Sequence, residues 1–135
     1  MAHWLIKSEP STWSWDAQVK AGAKGTPWDG VKNHTAKLNL MAMKLGEQVF
    51  FYHSNEGLEV VGIVEVIKEA YEWIPGEPWV LVDVKAVKPL AKPVTLVQVK
   101  AEQRLAKMAL VTSFRLSVQP VTDAEWKLVC AMGGL

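Results

Sequence analysis

Three side chains that can act as nucleophile, base and acid stand together near the start of the sequence. Lys7, Ser8 and Glu9 follow the apolar stretch "WLI" directly, and Pro10 comes after them. A serine beside a lysine can be a nucleophile with its base, and a carboxyl group can serve as a general acid or base. Because a Ser-Glu-Pro turn after a strand is also common, these residue types leave both a hydrolytic centre and a plain turn open.

A second polar stretch, "PWDGVKNHTA" at residues 27–36, joins an aromatic ring to basic and hydrogen-bonding side chains. Trp28 supplies a flat apolar surface, and the Asp-Gly pair after it forms a turn that presents backbone N–H groups. Lys32, Asn33 and Lys37 can reach phosphates or the edge of a base, and the start of a helix near Asn33 attracts anions. An aromatic platform in a positive field is how proteins hold unpaired or flipped bases.

Two strand ends also carry polar side chains. In "FYHS", alternation along a strand puts Tyr52 and Ser54 on one face and His53 on the other. In "RLSVQPV", Ser117 and Gln119 share a face, and a buried Ser or Gln must find hydrogen bonds. These residues can line a pocket, or they can be the polar ends of core strands that bond to backbone.

Metal and cofactor sites of familiar type are not indicated. The three histidines, at positions 3, 34 and 53, have no i, i+4 pairing, and Cys130 is the single cysteine. Neither a G-x-G-x-x-G sequence nor a P-loop occurs. We therefore expect no metal and no cofactor.

Length and composition indicate one soluble globular domain over residues 1–135, half of it apolar and about a fifth charged. No apolar run is long enough to span a membrane, and no secretory signal is visible. Together with the lone cysteine, this predicts a cytoplasmic protein. We expect a monomer without membrane contacts.

Charge is unevenly distributed although the net charge is only +1. Residues 56–84 hold seven acids and one lysine, whereas residues 85–115 hold seven basic residues and one acid. Both segments can simply be solvated faces of the domain. Alternatively, the basic segment forms a surface that faces phosphates, next to the acidic segment.

The elements that must position these residues are mostly strands in antiparallel hairpins. Aromatic and β-branched residues predict strands at 3–7, 48–54, 57–71, 78–87 and 115–121. The second and third are joined by a turn at 55–57. Residues 22–32 are predicted to be loop.

Helices are predicted by their capping residues. Ser14 caps a helix over 15–21, and Asn33 or Thr35 caps one over 33–44 whose apolar residues recur at Leu38, Met41 and Leu45. Capping boxes at Thr95 and Thr122 open two more helices, the second over 123–132. A further helix is predicted over 102–110. The result is an α+β fold in which short helices flank a partly closed, barrel-like sheet.

Taken together, these stretches resemble the EVE domain family, a branch of the PUA-like superfamily that also includes the YTH and ASCH domains. The resemblance covers nearly the whole chain and rests, in order, on "WLIKSEP", "PWDGVKNHTA", "MKLGEQVFFYHS", "VVGIVEV", "WVLVDVKAV" and "SVQPVTDAEW". It looks closest to the stand-alone bacterial members. The fold it implies is a curved, mostly antiparallel β-barrel-like sheet flanked by helices, with a pocket on one side.

The resemblance also implies a function and a site. The family is linked to recognition of modified cytosine in DNA, by extrusion of the base into an aromatic-lined pocket. Carried over to this sequence, the residues expected to form the base pocket are Ser8, Glu9, Trp28, Val31, Asn33, Tyr52, His53, Ser54, Ser117, Gln119 and Pro120. Lys7, Lys32 and Lys37 are expected to contact phosphates or backbone.

Some positions depart from the family pattern. "YEWIPGEP" is short where family members often carry a long insertion, and His34 stands where Tyr is common. Lys32 and Lys37 stand where Arg is common, and Lys is the poorer bidentate and stacking partner. Looser phosphate contacts are therefore expected.

The sequence thus favours a DNA-binding module that reads a modified base and is not an enzyme. Modified RNA remains an alternative, because the choice depends on contacts to the 2′-hydroxyl. A small amidohydrolase acting on an acylated cytidine, as among the ASCH relatives, would use Lys7, Ser8 and Glu9. A sensor of free nucleosides is the fourth possibility.

Overall fold

The fold is built on one mixed sheet. A computed structural model describes residues 2–135, and within them six strands form a sheet in the order β2-β5-β4-β3-β1-β6. All neighbouring strands are antiparallel except β1 and β3, which run parallel. The sheet does not close. The strands are β1 (His3–Ser8), β2 (Thr26–Pro27), β3 (Gln48–His53), β4 (Glu59–Glu72), β5 (Val80–Thr95) and β6 (Val118–Val121).

Five α-helices flank this sheet in the described part of the chain. They are α1 (Trp15–Lys20), α2 (His34–Ala42), α3 (Leu96–Ala101), α4 (Ala109–Thr112) and α5 (Asp123–Met132). The predicted caps are confirmed: Ser14 accepts from Ala17 N, and Thr95 and Thr122 each form a complete capping box. Asn33, and not Thr35, caps α2.

Alternating side chains of the central strands face two separate apolar cores. In β1, Trp4 and Ile6 point into the core beneath α1 and α2, whereas Leu5 points into the core beneath α3, α4 and α5. In β3, Phe51 joins the first core and Phe50 the second. Burial on both faces explains why these strands read as continuous apolar runs.

The predicted apolar face of α2 is wrong. Leu38, Met41 and Leu45 are 62%, 49% and 54% exposed, and the residues buried against the sheet are Ala36 and Leu40. The small Ala36 side chain lets the helix approach the sheet closely, so this pair covers the core although the other three residues also repeat at helical spacing.

The helix predicted over 102–110 is also wrong. A 3-10 turn at Gln103–Leu105 is followed by an irregular step before α4 begins at Ala109. Leu105, Met108 and Leu110 are all fully buried. Residues 108 and 110 would point about 200° apart on one continuous helix, so their common burial requires the break.

The region between α1 and α2 is more ordered than the predicted loop. Thr26 and Pro27 form β2, which pairs with Val84 and Asp83 of β5. β5 in turn runs to Thr95, well beyond the predicted end at residue 87, and several register shifts interrupt its pairing with β4. Such irregularities admit proline in a strand, as at Pro89.

A buried carboxylate fastens the start of β1 to the turn before β3. Glu47 is 5% exposed and accepts hydrogen bonds from the Trp4 indole N–H (3.0 Å), Lys44 N (2.8 Å) and Ala2 N (2.9 Å). Burial by itself raises the pKa of Glu47, but these hydrogen bonds outweigh it and hold the pKa below the ordinary value. The ionised form therefore stabilises the fold.

We expect Glu47→Gln to lower the free energy of unfolding at neutral pH by about 1 to 3 kcal/mol, because an amide NH₂ group replaces one of the two oxygens that accept the three hydrogen bonds. A carboxyl group with a lowered folded pKa stabilises above its unfolded pKa, and that contribution is lost as pH falls through the folded value. Urea titrations should therefore show the variant and the wild type converging below pH 4.5, the ordinary value. Glu77 is exposed, so Glu77→Gln is the matched control. If Glu47→Gln lowers the free energy of unfolding by the same amount in acid as at neutral pH, this role of the ionised carboxylate is contradicted.

None of the helices within residues 2–135 is both long and apolar enough to cross a membrane.

Candidate functional site

A cleft of about 590 Å³ opens beside the carboxyl end of β1, between the turn that follows β1 and the segment that follows β2. Its size lies within the range of small-molecule pockets. The lining residues are Lys7, Ser8, Glu9, Thr12, Trp13, Thr26, Pro27, Trp28, Asp29, Gly30, Val31 and Ser117.

Trp28 forms one wall of the cleft and is fixed by the sheet. Pairing of β2 with β5 brings Trp28 N within 2.7 Å of the Val82 carbonyl, to which it donates. The indole packs edge-on against Phe51, with ring centroids 5.6 Å apart, and only 7% of Trp28 is exposed. This wall is therefore rigid and largely part of the first core.

Trp13 also lines the cleft, although it was not among the site residues predicted from the sequence. The turn after β1 is closed by the Glu9 carbonyl, which accepts from the N–H groups of Thr12 and Trp13. The Trp13 indole donates to Gln18 Oε1 (2.9 Å), and the fully buried Gln18 amide donates to the Val84 carbonyl (3.3 Å). The available signal in the sequence was a tryptophan within the polar stretch "SEPSTWS".

Polar groups at the cleft come from the turn after β1 and the Asp-Gly pair after Trp28. The Ser8 hydroxyl donates to the Trp13 carbonyl (2.5 Å) and keeps its lone pairs for accepting. Glu9, Thr12 and Asp29 are exposed and line the cleft. The cleft therefore combines aromatic and apolar walls with carboxylate and hydroxyl acceptors at its mouth.

A second cavity, of about 530 Å³, adjoins the first at the end of β1. Parallel pairing sets Lys7 beside Tyr52 and Ser8 beside His53. Because the strand is pleated, Lys7 and Ser8 point to opposite faces of the sheet. Lys7, Glu9 and Ser117 line both cavities. The remaining residues of the second cavity are Tyr52, Ser54, Asn55, Leu58, Phe114 and Arg115.

The amine of Lys7 sits in a partly dry, aromatic environment. It donates to the Phe114 carbonyl and lies 4.5 Å from the centroid of the Phe114 ring and 5.6 Å from that of Tyr52. Burial lowers the pKa of Lys7 to about 8. The side chains of Lys7 and Ser8 leave opposite faces of β1, and each donates to a different backbone carbonyl, Lys7 to that of Phe114 and Ser8 to that of Trp13.

The structure brings only part of the predicted site together. Lys7, Ser8, Glu9, Trp28, Val31 and Ser117 line the cleft, and Tyr52 and Ser54 line the second cavity. The other predicted residues line neither: Asn33, His53, Gln119, Pro120, Lys32 and Lys37.

Three of these six residues form hydrogen bonds within the protein instead. Asn33 caps α2, and Gln119 is fully buried with its amide donating to the carbonyls of Ala109, Ser113 and Leu116. His53 Nε2 accepts from Trp15 N at 3.1 Å, and burial lowers the pKa of His53 despite nearby carboxylates.

Three further positions lie on exposed surface or in a helix. Pro120 is exposed within β6, opposite Trp4. Lys32 is exposed, with its amine 5.7 Å from the Trp73 ring centroid, and Lys37 lies in α2.

No group of three or more His, Cys, Asp or Glu side chains suited to a metal ion occurs among residues 2–135.

The arrangement of this chain recurs in known proteins. The family model for the EVE domain matches residues 2–132. The chain belongs to the EVE domain family. Human thymocyte nuclear protein 1 is 34% identical over 166 aligned positions, covering 97% of this chain and 73% of the human protein. Because this EVE domain has only 135 residues, the human protein carries insertions relative to it.

Solved structures of relatives superpose over almost the whole EVE domain. A protein from Rhodopseudomonas palustris is 61% identical, with a TM-score of 0.94 and coverage of 99% of this chain and 94% of the relative. Human THYN1 in complex with DNA containing 5-methylcytosine is 33% identical, with a TM-score of 0.90 and coverage of 100% and 99%. The predicted family is thereby confirmed.

The fold extends beyond the family. An ASCH protein from Zymomonas mobilis has a TM-score of 0.56 at 11% identity, covering 96% of this chain and 94% of that protein. At this identity the likeness concerns the fold alone. The predicted α+β, PUA-like fold class is confirmed, with the sheet open and not closed.

Proposed function

We propose that this EVE domain binds DNA that contains a modified cytosine and holds the extruded base in the cleft between Trp13 and Trp28. The observation that carries the proposal is the human relative solved with 5-methylcytosine DNA, which matches this chain from end to end. The cleft supports it because two tryptophans line a pocket of suitable size beside hydrogen-bonding groups.

Aromatic walls would supply most of the affinity. Stacking of a base on an aromatic side chain contributes about 1 to 3 kcal/mol. Removing a base from a duplex costs a few kcal/mol, and less where the base is mismatched or unpaired. A single-stranded or mismatched site should therefore bind more tightly than a fully paired one.

Selection for cytosine would come from the acidic rim. Cytosine presents an exocyclic amine, which carboxylates accept from, whereas thymine presents a carbonyl at the same position. Glu9 and Asp29 offer such carboxylates at the cleft.

Selection for the modification would come from the apolar lining. Burying one methyl-sized group is worth about 0.8 kcal/mol, which corresponds to a roughly fourfold preference. Pro27, Trp28 and Val31 are apolar residues that can receive it.

The proposal is tested by anisotropy titrations at low salt with labelled oligonucleotides that differ only at one central base. Single- and double-stranded DNA and RNA carry cytosine, 5-methylcytosine or 5-hydroxymethylcytosine. We expect DNA with 5-methylcytosine to bind a fewfold more tightly than DNA with cytosine. A preference for the RNA series would move the proposal to modified RNA. Equal affinity for all bases at that position would overturn it.

The enzyme alternative has a direct test in the same preparation. We expect purified protein to leave an acylated cytidine unchanged, since the strand separates Lys7 from Ser8. Turnover that Ser8→Ala abolishes would contradict the assignment as a binding module.

A further inference from the structure

We infer that the second cavity holds a phosphate of the nucleotide whose base occupies the cleft. This inference rests on the proposed function, and it adds a contact on the opposite face of β1. The phosphate would be one of the two that flank the base, and its ligands would be Tyr52, Lys7 and Arg115.

The first observation is a buried hydroxyl without a partner. Tyr52 has no exposed surface, and its hydroxyl has no hydrogen-bond partner among residues 2–135. Unpaired buried polar groups are rare in folded proteins because each one destabilises the fold. Burial also raises the pKa of Tyr52 to about 12, so at neutral pH the hydroxyl is a hydrogen-bond donor. Tyr52 lines the cavity with the Lys7 amine over its ring, so a shift of that amine towards an entering anion would let the hydroxyl donate to an anionic oxygen.

The second observation is the charge around that hydroxyl. Lys7 and Arg115 line the same cavity, and Glu9 is the one acid among its lining residues. The Lys7 amine lies 5.6 Å from the Tyr52 ring centroid and is tied to the Phe114 carbonyl. An entering phosphate would give that amine a charged partner in place of a neutral carbonyl, and charge-assisted hydrogen bonds are the stronger ones.

The third observation is continuity between the two cavities. Lys7, Glu9 and Ser117 line both, and they meet at the point where β1 ends. A nucleotide carries its base at C1′ and its phosphates at C3′ and C5′, so the sugar separates the base from either phosphate. It can therefore pass around the end of β1 with the base beside Ser8 and the phosphate beside Lys7, which point to opposite faces.

The test separates the phosphate from the base with small ligands. Probes are 5-methyl-2′-deoxycytidine, its 5′-monophosphate, its 3′-monophosphate and inorganic phosphate, titrated into wild type, Tyr52→Phe, Tyr71→Phe and Trp13→Ala. The Tyr71 hydroxyl donates to Asp83 (2.5 Å), so Tyr71→Phe is the matched control that removes the other, partnered tyrosine hydroxyl.

We expect one monophosphate to bind wild type about tenfold more tightly than the nucleoside, the size of one charge-assisted hydrogen bond. Tyr52→Phe should remove most of that gain, leave the nucleoside affinity unchanged and not lower the Tm, since the hydroxyl it removes is unpaired. Tyr71→Phe should keep the gain. Trp13→Ala should weaken nucleoside and nucleotide alike.

Three outcomes would overturn the inference while leaving the proposed base binding in the cleft unaffected. Wild type and Tyr52→Phe would have equal affinities for both monophosphates. Tyr52→Phe would weaken nucleoside binding as much as nucleotide binding, or inorganic phosphate would bind as tightly as the nucleotide. If Trp13→Ala leaves every affinity unchanged and the nucleoside does not bind, the proposed function fails, whatever the result for Tyr52→Phe.

Discussion

Replacing Trp13 by alanine is expected to weaken binding of DNA with 5-methylcytosine by roughly 5- to 150-fold, the equivalent of about 1 to 3 kcal/mol of lost stacking. Trp13 is partly buried at the cleft, and its ring is held by the hydrogen bond from its indole to Gln18. The variant also leaves the Gln18 oxygen without that donor. Its unfolding should therefore be measured beside its affinity.

Trp13 is the better probe of the two walls. Trp28 is 7% exposed and packs on Phe51, so Trp28→Ala would open a core cavity and cost about 3 to 5 kcal/mol of stability. A loss of DNA binding in that variant would therefore not distinguish unfolding of the protein from loss of a contact with the base. Trp13 is only partly buried against the first core, so the change at Trp13 removes a wall with a smaller loss of core packing.

Trp79→Ala is the matched control for Trp13→Ala. Trp79 is also partly buried, but it packs beside His34, with ring centroids 5.0 Å apart, and does not line the cleft. We expect anisotropy titrations to show near wild-type affinity for this control. Equal losses in both variants, or none in Trp13→Ala, would argue against a stacked base in the cleft.

Gly25→Ala is expected to destabilise the protein by about 2 to 5 kcal/mol, because strain and overpacking coincide there. Gly25 has a φ of +73°, a conformation that disfavours a side chain. A Cβ atom at this position would lie 2.4 Å from the Val84 carbonyl oxygen and 2.6 Å from Ile67 Cδ1. Since Val84 pairs with Thr26, the clash would push β2 off the sheet and carry the Trp28 wall with it.

Gly30→Ala separates the two causes. Gly30 has a similar φ of +78°, but a Cβ atom there would meet nothing within 4 Å. Only the backbone strain remains, so we expect Gly30→Ala to lower the free energy of unfolding by about 1 to 2 kcal/mol. Chemical denaturation of both variants measures the difference. Equal destabilisation would show that contact with Val84 does not decide the effect at Gly25.

Features set by neighbouring residues were predictable from the sequence. The caps at Ser14, Thr95 and Thr122 bond to the backbone three residues on, so the residue types reveal the helix start. Strand periodicity likewise predicted opposite faces for Tyr52 and His53: Tyr52 packs in the second core, whereas His53 bonds to Trp15 N on the other side of the sheet. These local rules sufficed for the order of most elements and for the fold class.

Features set by distant contacts were not predictable in the same way. The two residues of β2 are a strand only because β5 lies beside them. Trp13 becomes a wall of the cleft because Gln18 is anchored to Val84, which lies far along the chain. Asn33 stands in the most distinctive motif, yet its side chain accepts from Ala36 N as a helix cap and does not line the cleft.

The most direct test of the central claim is to follow the indole N–H signals by NMR, which suits a chain of 15.0 kDa. Signals of the seven tryptophans can be assigned with single Trp→Phe variants. On addition of single-stranded DNA with 5-methylcytosine, we predict large shifts for Trp13 and Trp28. Trp126, which stacks on Phe50 in the other core, should be unmoved. Shifts of Trp13 and Trp28 no larger than that of Trp126, or identical shifts with a strand in which an abasic site replaces the base, would contradict base recognition in the cleft.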